Sequence, residues 1–145
     1  MKLQIINGPN LNLLGKREPE KYGDKSFEDY LVFLRNNYPK LKIDYYQSNI
    51  EGELINKIQE TGFEYDGIIL NAGGYTHTSV SIADAVAAVD APVIEVHITN
   101  ISAREDFRHN SMVGKYCKGS IVGLGLNGYK LAIEALIELA KDSKK

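Results

Sequence analysis

The chain has 145 residues, 43% hydrophobic and 25% charged, which suits one globular domain and excludes disordered, collagen-like and supercharged classes. Seventeen Lys and Arg against nineteen Asp and Glu give a formal net charge of −2, without the basic excess that nucleic-acid binding demands. No export signal and no apolar run near the roughly 20 residues of a membrane span can be read, so a soluble, cytoplasmic protein with no membrane partner is expected.

In chain order, Leu3–Ile6 reads as a strand, and a long connection from Asn7 to Asp24 follows it, carrying Gly8, Pro9, Gly15, Pro19 and Gly23. Such a loop far exceeds the usual ~2–6 residues between strand and helix and suggests a lid or binding element. Ser26–Tyr38 is expected to be a helix, with Ser26 as N-cap, Pro39 as terminator, and Phe27, Tyr30, Leu31 and Leu34 as its buried stripe. Leu41–Tyr46 reads as a second strand. Glu51–Glu60 is a second helix, with Leu54, Ile55 and Ile58 inward and Gly62 at the capping position. Strands at Gly67–Leu70, Pro92–Val96 and Ser120–Val122 alternate with an Ala-rich helix at Ser79–Val89 and a last helix from about Tyr129 to Lys141. That helix should bury Leu131, Ile133, Leu136, Ile137 and Ala140 and carry lysines at its C-terminal end, where the dipole favours them. The strand runs are apolar without strict alternation, as in a parallel sheet covered on both faces, so an α/β fold with about five parallel strands is expected. In such sheets ligands bind beyond the carboxyl ends of the strands, which directs attention to the loops after Ile6, Leu70 and Val96.

Gly123-Leu-Gly125-Leu-Asn-Gly128 matches G-x-G-x-x-G, but only seventeen residues follow it, too few for the acidic partner ~20 positions on. It reads as a tight turn and a close helix approach. His77, His97 and Asp84 have the composition of a two-histidine, one-carboxylate metal site, yet their spacing gives little support, and no metal is expected. Glu95 and His97, two apart on a strand, share a face, where a carboxylate orients an imidazole and stabilises its protonated form as a general acid. The alternative is a pair of polar residues at a solvated strand end. In the first loop Tyr22 serves as a base only with a cation nearby, since an unperturbed tyrosine titrates near pH ~10. Arg17 is the candidate cation; surface residues are the alternative. Arg104 and Arg108 would share one face of a helix and clamp a carboxylate, or else pair with Glu105. His109 has no evident partner. Cys117, the single cysteine, cannot close an internal disulfide and reads as a semi-buried, apolar-like thiol.

Five motifs together resemble the type II 3-dehydroquinate dehydratases: I-I-N-G-P-N-L-N-L-L-G-K-R-E-P-E-K-Y-G from Ile5, Y-Q-S-N-I-E-G-E-L-I from Tyr46, N-A-G-G-Y-T-H-T-S from Asn71, E-V-H-I-T-N from Glu95, and A-R-E-D-F-R-H-N-S from Ala103. The resemblance implies a flavodoxin-like three-layer sandwich. It also implies reversible loss of water from 3-dehydroquinate to 3-dehydroshikimate with no cofactor, in the shikimate pathway or in quinate breakdown. By position, Tyr22 matches the base, Arg17 the residue favouring its phenolate, His97 the general acid with Glu95 behind it, and Asn10 the holder of a water against the enolate. Asn71, His77, Asp84, Ile98, Thr99 and Arg108 match substrate-contacting positions. The Asp84 equivalent reaches a neighbouring subunit, implying trimers assembled into dodecamers. Gly74 replaces a common Ala, Thr99 a common Ser, and Ile50 and Asn110 stand where His is usual. The rival reading is a non-catalytic flavodoxin-like binding module, but Asn7-Gly8 lacks a receiver's acidic pair and Pro9–Asn12 lacks an FMN phosphate loop. A Schiff-base barrel would take about 250 residues.

Overall fold

The first apolar run becomes the hub of a sheet because Leu3 and Ile5 point to one face and Ile6 to the other, and both faces are covered. In the computed structural model, which describes residues 1–143, five strands are all parallel: β1 (Lys2–Asn7), β2 (Lys42–Gln47), β3 (Gly67–Asn71), β4 (Val93–His97) and β5 (Gly119–Val122). Their spatial order is β2-β1-β3-β4-β5, the flavodoxin-like doubly wound order. The helices are α1 (Pro19–Tyr22), α2 (Phe27–Asn37), α3 (Glu51–Thr61), α4 (Val80–Ala88) and α5 (Asn127–Ser143).

Strand parity divides the core into two layers. Leu3, Ile5, Ile69, Ile94 and Val96 pack with Phe27, Leu31 and Leu34 of α2 and with Tyr129, Ile133 and Leu136 of α5. Ile6, Ile68, Leu70 and Val93 pack with Leu54 and Ile58 of α3 and Ile82 and Val86 of α4. Each such side chain contributes about 1.5–3 kcal/mol by leaving water. Two helices start on serines: Ser26 Oγ accepts from Asp29 N at 3.1 Å, and Ser79 Oγ accepts from Ile82 N at 2.9 Å.

Several details depart from the sequence reading. Leu131 is 44% exposed instead of inward. The buried stripe of α5 runs Tyr129, Ala132, Ile133, Leu136, and a residue two beyond Tyr129 lies about 200° round the helix. The helix also begins earlier, at Asn127; of its expected terminal lysines, Lys144 and Lys145 lie outside the described residues. Gly62 does cap α3, but with an ordinary right-handed φ of −67°; what it supplies is space, since a Cβ there would stand 2.3 Å from Val89 Cβ. The G-x-G-x-x-G stretch is structural. Gly123 and Gly125 take φ of 85° and 62°, and a Cβ on Gly128 would come within 3.1 Å of Val96 Cγ1, where α5 crosses the sheet.

The long first connection is pinned to the core by Leu11 and Leu14 and forms a 3-10 turn at Leu11–Leu13 before α1. Among the described residues, no helix is long and apolar enough to cross a membrane.

Candidate active site

The strand order reverses between β1 and β3, and beyond their carboxyl ends lies a cavity of about 110 Å³. Its walls come from the connections after β1, β3 and β4. They bring together Asn10, Arg17, Tyr22, Asn71, His77, His97, Ile98, Thr99, Arg104 and Arg108.

The first connection turns sharply to deliver its polar residues. Asn10 takes φ 70°, a left-handed conformation that asparagine tolerates well, and its N–H donates to Asn49 Oδ1 at 3.0 Å. Glu18 takes φ 34° as α1 begins, a costly conformation for a residue with a long side chain. One turn later Tyr22 faces the cavity. Arg17 Nη2 donates to Tyr22 Oη at 3.1 Å, and its guanidinium also lies over the tyrosine ring, 4.4 Å from the centroid. The same nitrogen donates to Glu18 Oε2 at 3.1 Å.

A second cation reaches the same oxygen. Arg104 Nη1 donates to Tyr22 Oη at 3.0 Å and to Thr99 Oγ1 at 3.3 Å. This corrects the arginine clamp expected from sequence. Arg104 is extended (φ −107°, ψ −161°) after the turn at Ile101–Ala103, and Arg108 belongs to a separate 3-10 turn, so they share no helix face. Arg108 lines the cavity while its Nε donates to Glu105 Oε2 at 2.7 Å, the alternative pairing for that residue.

Glu95 and His97 share a face of β4, as alternation requires, but that face is covered rather than solvated. Both are nearly inaccessible, at 3% and 5% exposure. His97 Nε2 stands 3.4 Å from Glu95 Oε2, longer than an ordinary hydrogen bond yet within ion-pair range. Glu95 Oε2 also accepts from Ser111 Oγ, and Oε1 accepts from Ser120 Oγ at 2.8 Å. Burial opposes ionisation of Glu95, but His97, Ser111 and Ser120 together outweigh it and hold the carboxyl below its ordinary range. A buried carboxylate therefore lies behind His97, with His77 stacked at 6.2 Å between ring centroids.

His77 Nδ1 lies 2.8 Å from the carbonyl oxygen of Asn110. A carbonyl only accepts, so Nδ1 carries the proton and Nε2 is the acceptor when the ring is neutral. Asn71 is tied into the core: its Nδ2 donates to Tyr129 Oη at 2.9 Å, and its Oδ1 accepts from Gly73 N at 3.1 Å.

Asp84 does not line this cavity; it stands on the exposed face of α4. His109 is exposed and also outside it. Ile50, exposed at 59%, begins α3 away from the cavity, and Asn110 contributes through its backbone. Among the described residues no cluster of three or more His, Cys, Asp or Glu side chains is arranged to hold a metal. Cys117 is half-buried, and burial, with the charge of Glu95 behind it, pushes its thiol up to about 12.

The family model for dehydroquinase class II matches residues 1–137. The chain belongs to that family. It is 54% identical over 144 residues to the 3-dehydroquinate dehydratase of Fusobacterium nucleatum, covering 95% of this chain and 97% of the relative. Against the Exiguobacterium enzyme of the same name, identity is 51%, with 95% of each chain covered. The crystal structure of type II dehydroquinase from Butyrivibrio crossotus superposes with a TM-score of 0.88 at 50% identity, over 94% of this chain and 97% of that one.

Sequence spacing misses the tyrosine contact of Arg104 and the carboxylate contacts of Ser111 and Ser120. Arg104 was noticed, but nothing in its spacing connects it to Tyr22, 82 residues earlier. Ser111 and Ser120 carry no local signal, since serines beside a turn and on an edge strand are ordinary surface residues; only the parallel register that sets Ser120 opposite Glu95 singles one out.

Proposed function

We propose that this chain catalyses the reversible elimination of water from 3-dehydroquinate to give 3-dehydroshikimate. The observation that carries the reading is the convergence of two guanidinium donors on Tyr22 Oη, in the same cavity as a histidine backed by a buried carboxylate.

The reaction is redox-neutral. A C–H bond alpha to the ketone breaks, a C–O bond on the adjacent carbon breaks, and a conjugated C=C forms as water leaves. A base and an acid suffice for this, and no cofactor enters the scheme. Tyr22, as phenolate, takes the alpha proton, while Arg17 and Arg104 supply positive charge to its oxygen. The electron pair moves onto the ketone oxygen as an enolate, which needs positioned donors; Asn10 holds a water there. His97, as imidazolium, donates its proton to the departing hydroxyl, and Glu95 stabilises that cation and fixes the ring. Tyr22 ends protonated and His97 neutral, so a net proton return resets the site. Asn71, His77, Ile98, Thr99 and Arg108 hold the substrate's hydroxyls and carboxylate.

Asp84, on the outer face of α4, completes a neighbour's site in a homo-oligomer, a dodecamer built from trimers. The enzyme works in the cytoplasm on the shikimate route to aromatic amino acids; quinate breakdown would use the same reaction. Purified protein supplied with 3-dehydroquinate should generate the ultraviolet absorbance of the conjugated enone. Borohydride added with substrate should leave activity intact, because no imine forms. Absence of the enone signal at every pH, or a substrate adduct trapped on a lysine, defeats the proposal.

A further inference from the structure

We infer that Ser111, assisted by Ser120, is a positioning residue for the acid step, holding both oxygens of Glu95 so that the carboxylate presents one fixed edge to His97. The inference rests on the reading of His97 as the acid.

A carboxylate held at one oxygen can rotate about its last bond; one held at both cannot. Ser111 Oγ donates to Glu95 Oε2 at 2.5 Å, Ser120 Oγ donates to Oε1 at 2.8 Å, and the carboxylate is 3% exposed, so little water competes. Ser111 is itself fixed, because its Oγ accepts from Gly114 N at 2.8 Å. Gly114 is required there: a Cβ would stand 2.9 Å from Glu95 Oε1 and 3.0 Å from Ser111 Oγ. The same strap ties down the other histidine. Met112 N donates to the carbonyl of Thr76 at 2.9 Å, and the Asn110 carbonyl accepts from His77 Nδ1. One short stretch, Asn110–Gly114, thus sets the orientation of Glu95 and His77 together. None of its side chains lines the cavity, so Ser111 acts through Glu95 and not on substrate.

The groups around this dyad are few. Glu95 faces His97 on its own strand, Ser111 and Cys117 from the segment after Arg108, and Ser120 on β5. His97 faces His77, and Arg104 and Arg108 line the same cavity.

The test compares wild type with Ser111→Ala, Ser111→Thr and Ser120→Ala. It reads kcat and KM across pH, the Glu95 carboxyl titration by carbon-13 NMR, and thermal unfolding. Ser111→Ala should lower kcat about tenfold or more, part of the ~10²–10⁴ that a positioned acid supplies, with KM within about twofold. The Glu95 midpoint should move up, since a donor to its charged form is gone. Ser111→Thr should restore both readouts. If Ser111→Ala fails to fold, Ser120→Ala, on an exposed edge strand, should move kcat and the Glu95 midpoint in the same directions. A folded Ser111→Ala with wild-type kcat, or with an unmoved Glu95 midpoint, overturns the inference. Wild-type protein inactive on 3-dehydroquinate defeats the functional reading alone; the Glu95 midpoint then still decides whether Ser111 governs the dyad.

Discussion

Tyr129→Phe tests whether the core and the cavity are one structure. Tyr129 is fully buried; its hydroxyl donates to Asn7 Oδ1 at 2.8 Å and accepts from Asn71 Nδ2 at 2.9 Å, joining α5 to the ends of β1 and β3. Phenylalanine keeps the ring contact with Phe27, at 4.9 Å between centroids, and removes only the oxygen. Asn71 Nδ2 and Asn7 Oδ1 then each lose that partner, at about 1–3 kcal/mol each, since the bonds that remain hold the opposite ends of the two amides: Gly73 N to Asn71 Oδ1, and Asn7 Nδ2 to Tyr45. The expected loss is therefore about 2–6 kcal/mol, equivalent to a fall in Tm of roughly 5–25 °C for a chain of this size. Equilibrium urea unfolding at matched protein concentration measures it, with the midpoint falling and the slope unchanged. Because Asn71 also lines the cavity, KM for 3-dehydroquinate should rise severalfold in the same variant. A loss below about 0.5 kcal/mol, the scatter of ordinary surface substitutions, refutes the reasoning.

Tyr22→Phe should abolish turnover while substrate still binds, as shown by calorimetry; residual activity within tenfold of wild type would remove Tyr22 from the role of base. Asp84→Ala should weaken assembly, read by sedimentation, or raise KM, and a variant altered in neither refutes a shared site. Glu95 titrates lower in the folded chain than unfolded, so its contribution to stability is present above the ordinary glutamate range, near pH ~4.3, and is lost as pH falls through the folded value. The stability difference between wild type and Glu95→Gln should accordingly shrink on acidification below that range; a difference that stays flat contradicts the assigned direction.

The architecture was legible because its signals are local. Ser26 before Phe27, Tyr30, Leu31 and Leu34 marks a helix start by chemistry that needs no distant partner, and doubly covered parallel strands announce themselves as unbroken apolar runs. Glu95 and His97 were legible for the same reason, since period two places them on one face. What local spacing could not supply was the far end of each contact. Arg104 meets Tyr22 across 82 residues, and Ser120 meets Glu95 only because β5 pairs with β4 in one particular register. Leu131 was misplaced because its apolar character was taken without its phase on the helix.

The two groups to which we assign proton transfer, His97 and Tyr22, stand on unlike supports. His97 ends a central strand, buried at 5% exposure and backed by a carboxylate with a hydroxyl on each oxygen, so the proposed acid is held by the fold itself. Tyr22 ends a four-residue helix, its ring partly buried against the same core that holds Leu11 and Leu14. Its oxygen is located mainly by Arg17 and Arg104, and Arg17 divides the same nitrogen between Tyr22 and Glu18. Packing therefore places the ring and charge places the oxygen of the proposed base. On the proposed roles, substrate meets an acid whose ring is already oriented and a base whose oxygen already has two cationic donors, so binding has only to bring the reacting carbon between them.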